Sequence, residues 1–146
     1  MLLPLLLQNG HQISMVVSPQ RKHKATPGTV EVFESDTLSA QTWPELIEKH
    51  QVIINLSGSS IFRRWNQRVK DDIYASRIRT TINIVDAFKA CAANNKHFFS
   101  ASGVGYYGYN MNKTFNEESK PGSSFLARVA VECLSDLLGE KTNPGR

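Results

Sequence analysis

Apolar residues recur along this chain in two rhythms, short continuous runs and longer stretches spaced three to five apart, and the two alternate. The opening "MLLPLLLQNGH" is apolar on most faces and stops at Asn9-Gly10, a helix-ending pair, so the chain is expected to begin inside a helix. "QISMVVS" then predicts a buried strand, "SPQRKHKATPG" a polar loop, "TVEVF" a short alternating strand, and "SAQTWPELIEKH" a loop containing a helical turn. "QVIINLSGSS" is the clearest strand, a continuous apolar run broken by Ser57-Gly58, as expected where both faces of a parallel strand are covered. Val69, Ile73, Ile78, Ile82, Val85 and Phe88 predict a helix from Trp65 to Ala93 that carries the crossover to the next strand, "NNKHFFSAS". A long loop, "GVGYYGYNMNKTFNEESKPG", leads to a final amphipathic helix, "SSFLARVAVECLSDLLGEK", with Ser123 or Ser124 as its cap.

Strands alternating with helices predict a right-handed, mostly parallel α/β layer fold, in which ligands sit at the carboxyl ends of the strands. Both marked strand ends, "NLSGSS" and "SASG", lie there. With 146 residues and neither a repeat nor a linker, one domain is expected. The formal charge of +4 suits a phosphate-bearing ligand, but the basic residues are scattered through "PQRKHK", "FRRWNQRVK" and "ASRIRTT", which disfavours nucleic acid as the partner. Cys91 and Cys133 have no metal-like spacing and read as free thiols in a reducing compartment. The apolar opening is too short for a membrane span and lacks a basic flank and a small-residue cleavage site, so a cytoplasmic protein is expected.

The chemistry concentrates at three places. Ser57-Gly58 either closes a turn or lets a dinucleotide approach the backbone. Asp72 and Arg77, five apart on the long helix, either bracket a ligand from different flanks or belong to a solvated face laced with ion pairs. In "SASGVGYYG" the hydroxyl of Ser102 can polarise a substrate oxygen, with Tyr106 or Tyr107 offering a phenol for proton transfer. No lysine is placed by spacing to lower that phenol's pKa. The four histidines occur singly and read as structural, and neither a metal motif nor a Ser-His-Asp triad is visible.

Taken together, "LLLQNGHQISMVVS", "VIINLSGSSIFRRWN", "ASRIRTT", "FSASGVGYYG" and "EESKPGSSFLARV" resemble an atypical branch of the extended short-chain dehydrogenase/reductases, the nucleoside-diphosphate-sugar epimerase-like family of epimerase family proteins. The likeness covers nearly the whole chain, in order. It implies a Rossmann core binding NADP or NAD, with cofactor contacts at Val17 and Ser18, at Leu56, Ser57 and Gly58, and at Asp72 and Arg77. It also implies a catalytic hydroxyl at Ser102 and a small-molecule substrate such as a sugar nucleotide.

Departures from the family pattern qualify that expectation. The Gly-rich phosphate turn and the strand before it have no counterpart here, so the chain is expected to be a partial Rossmann domain spanning residues 1–146, without the C-terminal substrate region. Ser18 stands where an arginine usually holds the adenosine 2′-phosphate, with Arg21 and Lys22 only nearby. The superfamily's Tyr-x-x-x-Lys pair falls on Phe125, Ala127, Arg128 and Val129. Two readings follow: a fragment of an NAD(P)-dependent epimerase-like enzyme, inactive by itself, or a non-catalytic module that pairs with another chain through an exposed sheet edge.

Overall fold

The computed structural model describes residues 2–19, 27–92, 95–110 and 112–138. An apolar helix, α1 (Leu2–Gln8), ends at Gly10, whose φ of 77° lies in the left-handed region that glycine adopts without strain. The turn feeds β1 (Ile13–Val17), which pairs in parallel with β2 (Val30–Glu34), Ile13 opposite Val30 and Val17 opposite Glu34. β3 (Val52–Asn55) and β4 (His97–Ser100) form a second parallel pair, Val52 opposite His97 and Asn55 opposite Ser100. Among the described residues these are two separate two-stranded sheets, with no strand hydrogen-bonded between β1 and β3. The expected parallel α/β layering is present, divided at that line.

"SAQTWPELIEKH" forms more structure than the helical turn expected: a 3-10 turn (Ala40–Thr42) runs into α2 (Trp43–Lys49), with Pro44 in its first turn, where a missing N–H leaves no bond unmade. The crossover helix α3 (Gln67–Ala90) starts two residues later than its apolar spacing suggests, because the Asn66 side chain accepts from the Val69 amide at 2.9 Å and fixes the cap. Trp43 and Ile47 of α2 meet Ile84 and Ala87 of α3, with Val16 from β1 and Ile53 from β3 packed against them, so one small core joins both sheets. Ile47, Ile73 and Ile84 are at most 1% exposed. Each such side chain contributes on the order of 2–3 kcal/mol by leaving water.

Downstream of β4 a second 3-10 turn (Val104–Tyr107) leads towards α4 (Phe125–Leu138), and Ser124 rather than Ser123 makes the cap, its Oγ accepting from the Ala127 amide at 3.1 Å. α4 packs on α3 and on the 3-10 turn. Tyr74 Oη donates to Glu132 across this seam, and Thr81 Oγ1 lies 3.3 Å from Cys133 Sγ.

Candidate functional site

Two depressions open at the carboxyl ends of the strands and share the segment Asn55–Gly58 as their common wall. The larger, about 790 Å³, runs between β1 and β3. The smaller, about 360 Å³, lies between the ends of β3 and β4 and the facing sides of α3 and α4.

The common wall is held from below by a buried polar side chain. Asn55, 6% exposed at the end of β3, donates from Nδ2 to Thr81 Oγ1 at 3.2 Å and to Ser100 Oγ at 3.4 Å, while its Oδ1 accepts from the Ser57 amide at 3.0 Å. One residue thereby ties β3 to α3 and β4 and sets the turn that follows. A buried amide left unpaired costs about 1–3 kcal/mol, so the site's shape is tied to the fold's stability. The Ser59 amide donates to Ser76 Oγ at 2.8 Å, and Arg77 Nη1 donates to the Ser59 carbonyl at 3.1 Å. Gly58 makes room for that clamp: a Cβ there would stand 2.9 Å from Arg77 Nη2, so the guanidinium would have to shift.

The residues expected to contact a cofactor fall into two groups. Val17, Ser18, Leu56, Ser57, Gly58 and Asp72 all line the larger cleft. Val17 ends β1, its carbonyl accepting from the Ser35 amide at 3.0 Å, and Leu56 lies 66% exposed at the cleft wall. Arg77 instead lines the smaller pocket, half-buried, and its burial pulls the guanidinium pKa below the ordinary arginine value. Asp72 and Arg77 face different depressions, on either side of the shared wall. Nor do they pair with each other: Arg63 Nη1 meets Asp72 Oδ2 at 3.3 Å. Among the described residues α3 carries no internal ion pair, so a helix laced with ion pairs is not what forms. Arg21 and Lys22 lie outside the described residues.

In the smaller pocket, Ser102 is exposed just beyond β4 and shares the lining with Tyr106. Tyr107 turns elsewhere, stacking on Phe115 with ring centroids 5.4 Å apart, so only one of the two candidate phenols faces the serine's pocket. The 3-10 turn is pinned by the Gly122 amide, which donates to the Tyr106 carbonyl at 2.8 Å. Gly122 is obligatory in that contact, because a Cβ would lie 2.7 Å from the Tyr107 carbonyl. Ser100 Oγ accepts from Asn55 at 3.4 Å, whereas Ser102 lies exposed beyond the strand end.

Phe125, where the superfamily tyrosine was expected, opens α4 edge-on to Trp65, with ring centroids 5.7 Å apart. Lys70 Nζ lies 5.9 Å from the Phe125 ring centre. A cation therefore stands beside this ring, contributed by α3 rather than by the next turn of α4. Sequence reasoning missed Lys70, because nothing in its own helix marks it, and missed Asn55, whose only signal was a polar residue closing an apolar run. Among the described residues no group of three or more metal-ligating side chains exists, and no helix is long and apolar enough to cross a membrane.

Comparison with known proteins gives this geometry a context. Residues 1–129 match the profile described as "NAD dependent epimerase/dehydratase family". Over 111 residues the chain is 34% identical to the chloroplastic epimerase family protein SDR39U1 homolog of Arabidopsis thaliana, covering 75% of this chain and 30% of that protein. Among solved structures, the human epimerase family protein SDR39U1 with NADPH superposes with a TM-score of 0.67 at 23% identity, covering 99% of this chain and 45% of that one. The Bordetella bronchiseptica enzyme WbmG, in complex with NAD and UDP, gives a TM-score of 0.76 at 13% identity, covering 94% and 44%. At those identities the two structures establish the fold, a Rossmann-type layering, and this chain spans less than half the length of each relative. The chain belongs to the NAD dependent epimerase/dehydratase family.

Proposed function

We propose that residues 1–146 form an incomplete dinucleotide-binding domain of an NADP- or NAD-dependent, epimerase-like oxidoreductase, acting on a small molecule of the sugar-nucleotide class in the cytoplasm. The observation that carries this reading is the convergence of three strand ends on two adjoining depressions: Val17, Ser18, Leu56 and Ser57 in one, Ser102 and Tyr106 in the other, with Asn55–Gly58 between them. The polar lining of the larger cleft, Ser18, Asp36, Ser57 and Ser59 among it, fits the ribose hydroxyls and amide of a dinucleotide. No glycine-rich turn at a helix N-terminus, the feature that holds a pyrophosphate, occurs among the described residues.

A bound nicotinamide supplies hydride exchange at the substrate's reacting carbon. The chain's own residues do the rest. Ser102 donates its hydroxyl to the reacting oxygen, Tyr106 passes a proton at that oxygen, and Asn55 with Arg77 holds the shared wall so that the two ligands meet at one place. Tyr107 supports Tyr106, its ring meeting that of Tyr106 edge-on at 5.0 Å.

The test uses the chain completed with the flanking segments of a family relative. Ser102→Ala is expected to leave cofactor affinity nearly unchanged and to lower turnover about a hundredfold, the order lost with one positioned proton-transfer or oxyanion partner. Ser100→Ala should cost far less turnover, and Tyr107→Phe less than Tyr106→Phe. Equal turnover in Ser102→Ala and the parent would end the catalytic reading. The division into two sheets favours a second reading, a non-catalytic module that survives by pairing with another polypeptide. No turnover by the completed chain on any sugar nucleotide, together with intact folding, would favour it.

A further inference from the structure

The smaller pocket is electrically unbalanced. Among the described residues its lining holds one permanently charged side chain, Arg77, and no carboxylate, whereas Asp36, Asp72 and Arg68 all border the larger cleft. The ion pairs of the described residues, Lys49 with Glu45 and Arg63 with Asp72, leave Arg77 out. Its described hydrogen bonds both leave from Nη1, to the carbonyls of Ser59 at 3.1 Å and Ile73 at 3.4 Å. A guanidinium carries five N–H donors in a rigid fork, so those on Nε and Nη2 have no acceptor among the described residues. Nη2 is the arm turned to the shared wall, the atom nearest to where a Gly58 Cβ would stand. Burial pulls the guanidinium below the ordinary arginine range, as expected for a cation that has lost water without gaining a counter-ion.

The rest of the lining sorts by origin. Leu126, Val129, Leu134 and Leu137 of α4, with Ile61, bring apolar surface, while Ser102 and Tyr106 beyond β4 bring hydroxyls. We propose that this pocket of about 360 Å³ is a binding site for a small organic acid, its carboxylate on the free arm of Arg77 and its apolar body against α4. One carboxylate matches one guanidinium in both charge and planar geometry. A phosphate dianion would leave its second charge beside an apolar wall without a partner, and a neutral hydroxyl would leave the cation unmatched. Binding of the acid is independent of any dinucleotide in the larger cleft. One consequence does rest on the catalytic reading above: a substrate that reacts at Ser102 presents an acidic group to this pocket.

The test titrates the 146-residue chain with benzoate, and in parallel with benzamide and inorganic phosphate, while following backbone amide chemical shifts. Benzoate is expected to shift amides in residues 57–59, 102–106 and 129–134 together, with a Kd on the order of 1 mM, as so small a ligand allows. Benzamide, its neutral isostere, and phosphate should each bind at least about tenfold more weakly, and Arg77→Gln should bring benzoate down to the level of benzamide. Alkylation of Cys133 by iodoacetamide gives a second reading, on the parent chain, that needs no variant. Saturating benzoate should slow it at least about fivefold and leave Cys91, packed on the Trp43–Ile84 core, unaffected. Equal binding of benzoate and benzamide, or phosphate binding as tight as benzoate, would overturn the assignment to an acid. Benzoate shifts confined to Val17 and Ser18, or Cys133 alkylation unchanged where benzoate saturates, would overturn the site. No benzoate binding at about 50 mM would refute both. A chain that takes benzoate in this way but not NADPH would support the proposal while ending the dinucleotide reading.

Discussion

At the scale of single residues, the site depends on side chains that touch no proposed ligand. Asn55 satisfies three polar groups from one buried position, so Asn55→Ala should lower stability by about 1–3 kcal/mol, read from urea unfolding. Gly58→Ala pushes on the guanidinium of Arg77 and should cost less, under about 1.5 kcal/mol, because a side chain can yield where backbone cannot. It should nonetheless weaken nucleotide binding, since the Ser59 carbonyl loses its brace. Ser57-Gly58 was legible in the sequence as the place where an apolar run breaks, and "SASG" as a hydroxyl delivered to an open end. The wiring beneath them was not, because Asn55, Ser76, Arg77 and Ser100 come from three elements and their meeting is a property of the packed layer. For the same reason the sequence left Tyr106 and Tyr107 equivalent, and only the stacking of Tyr107 on Phe115 separates them.

At the scale of elements, periodicity marked α3 and α4 well, while α2, a short helix with Pro44 in its first turn, read only as a helical turn within a loop. The seam between α3 and α4 carries an acidic group of consequence. Asp136 has its pKa raised, first by burial and then by Glu132 and Asp86. A carboxyl whose folded pKa lies above its unfolded value weighs against the fold when ionised, and that penalty fades as pH falls through the folded pKa. Asp136→Asn should therefore be more stable than the parent at pH 7, with the advantage shrinking towards pH 4; an advantage constant over that range would contradict the burial account. Tyr74 behaves differently. Its hydrogen bond to Glu132, aided by burial, pushes its pKa up to about 12. The neutral phenol is thus favoured in the folded chain, and its contribution is complete below about pH 10 and lost between 10 and 12. Tyr74→Phe should destabilise at pH 8, and the gap to the parent should narrow above pH 10 in the same unfolding series.

At the scale of the whole molecule, two parallel pairs joined through one small core leave much apolar surface in water, including Leu56, Val52, Ile54 and Phe99. Alternating strands and helices announced the layer type, and the short apolar runs announced parallel pairing. The separation between β1 and β3 is a relation between elements distant in the chain, and here it rested on resemblance rather than on local pattern. Unpaired edges and a shared small core predict an isolated chain that self-associates or unfolds easily; a monomer by light scattering with a cooperative melt above about 65 °C would contradict this.

The central claim, that the strand ends bordering the large cleft hold the dinucleotide, is tested most directly by titrating the 146-residue chain with NADPH while following backbone amide chemical shifts. The account predicts shifts concentrated at Val17, Ser18, Leu56, Ser57 and Gly58, saturating with a Kd weaker than about 100 μM because no pyrophosphate-binding turn is among the described residues. Micromolar saturation, or shifts that avoid these residues, would contradict it.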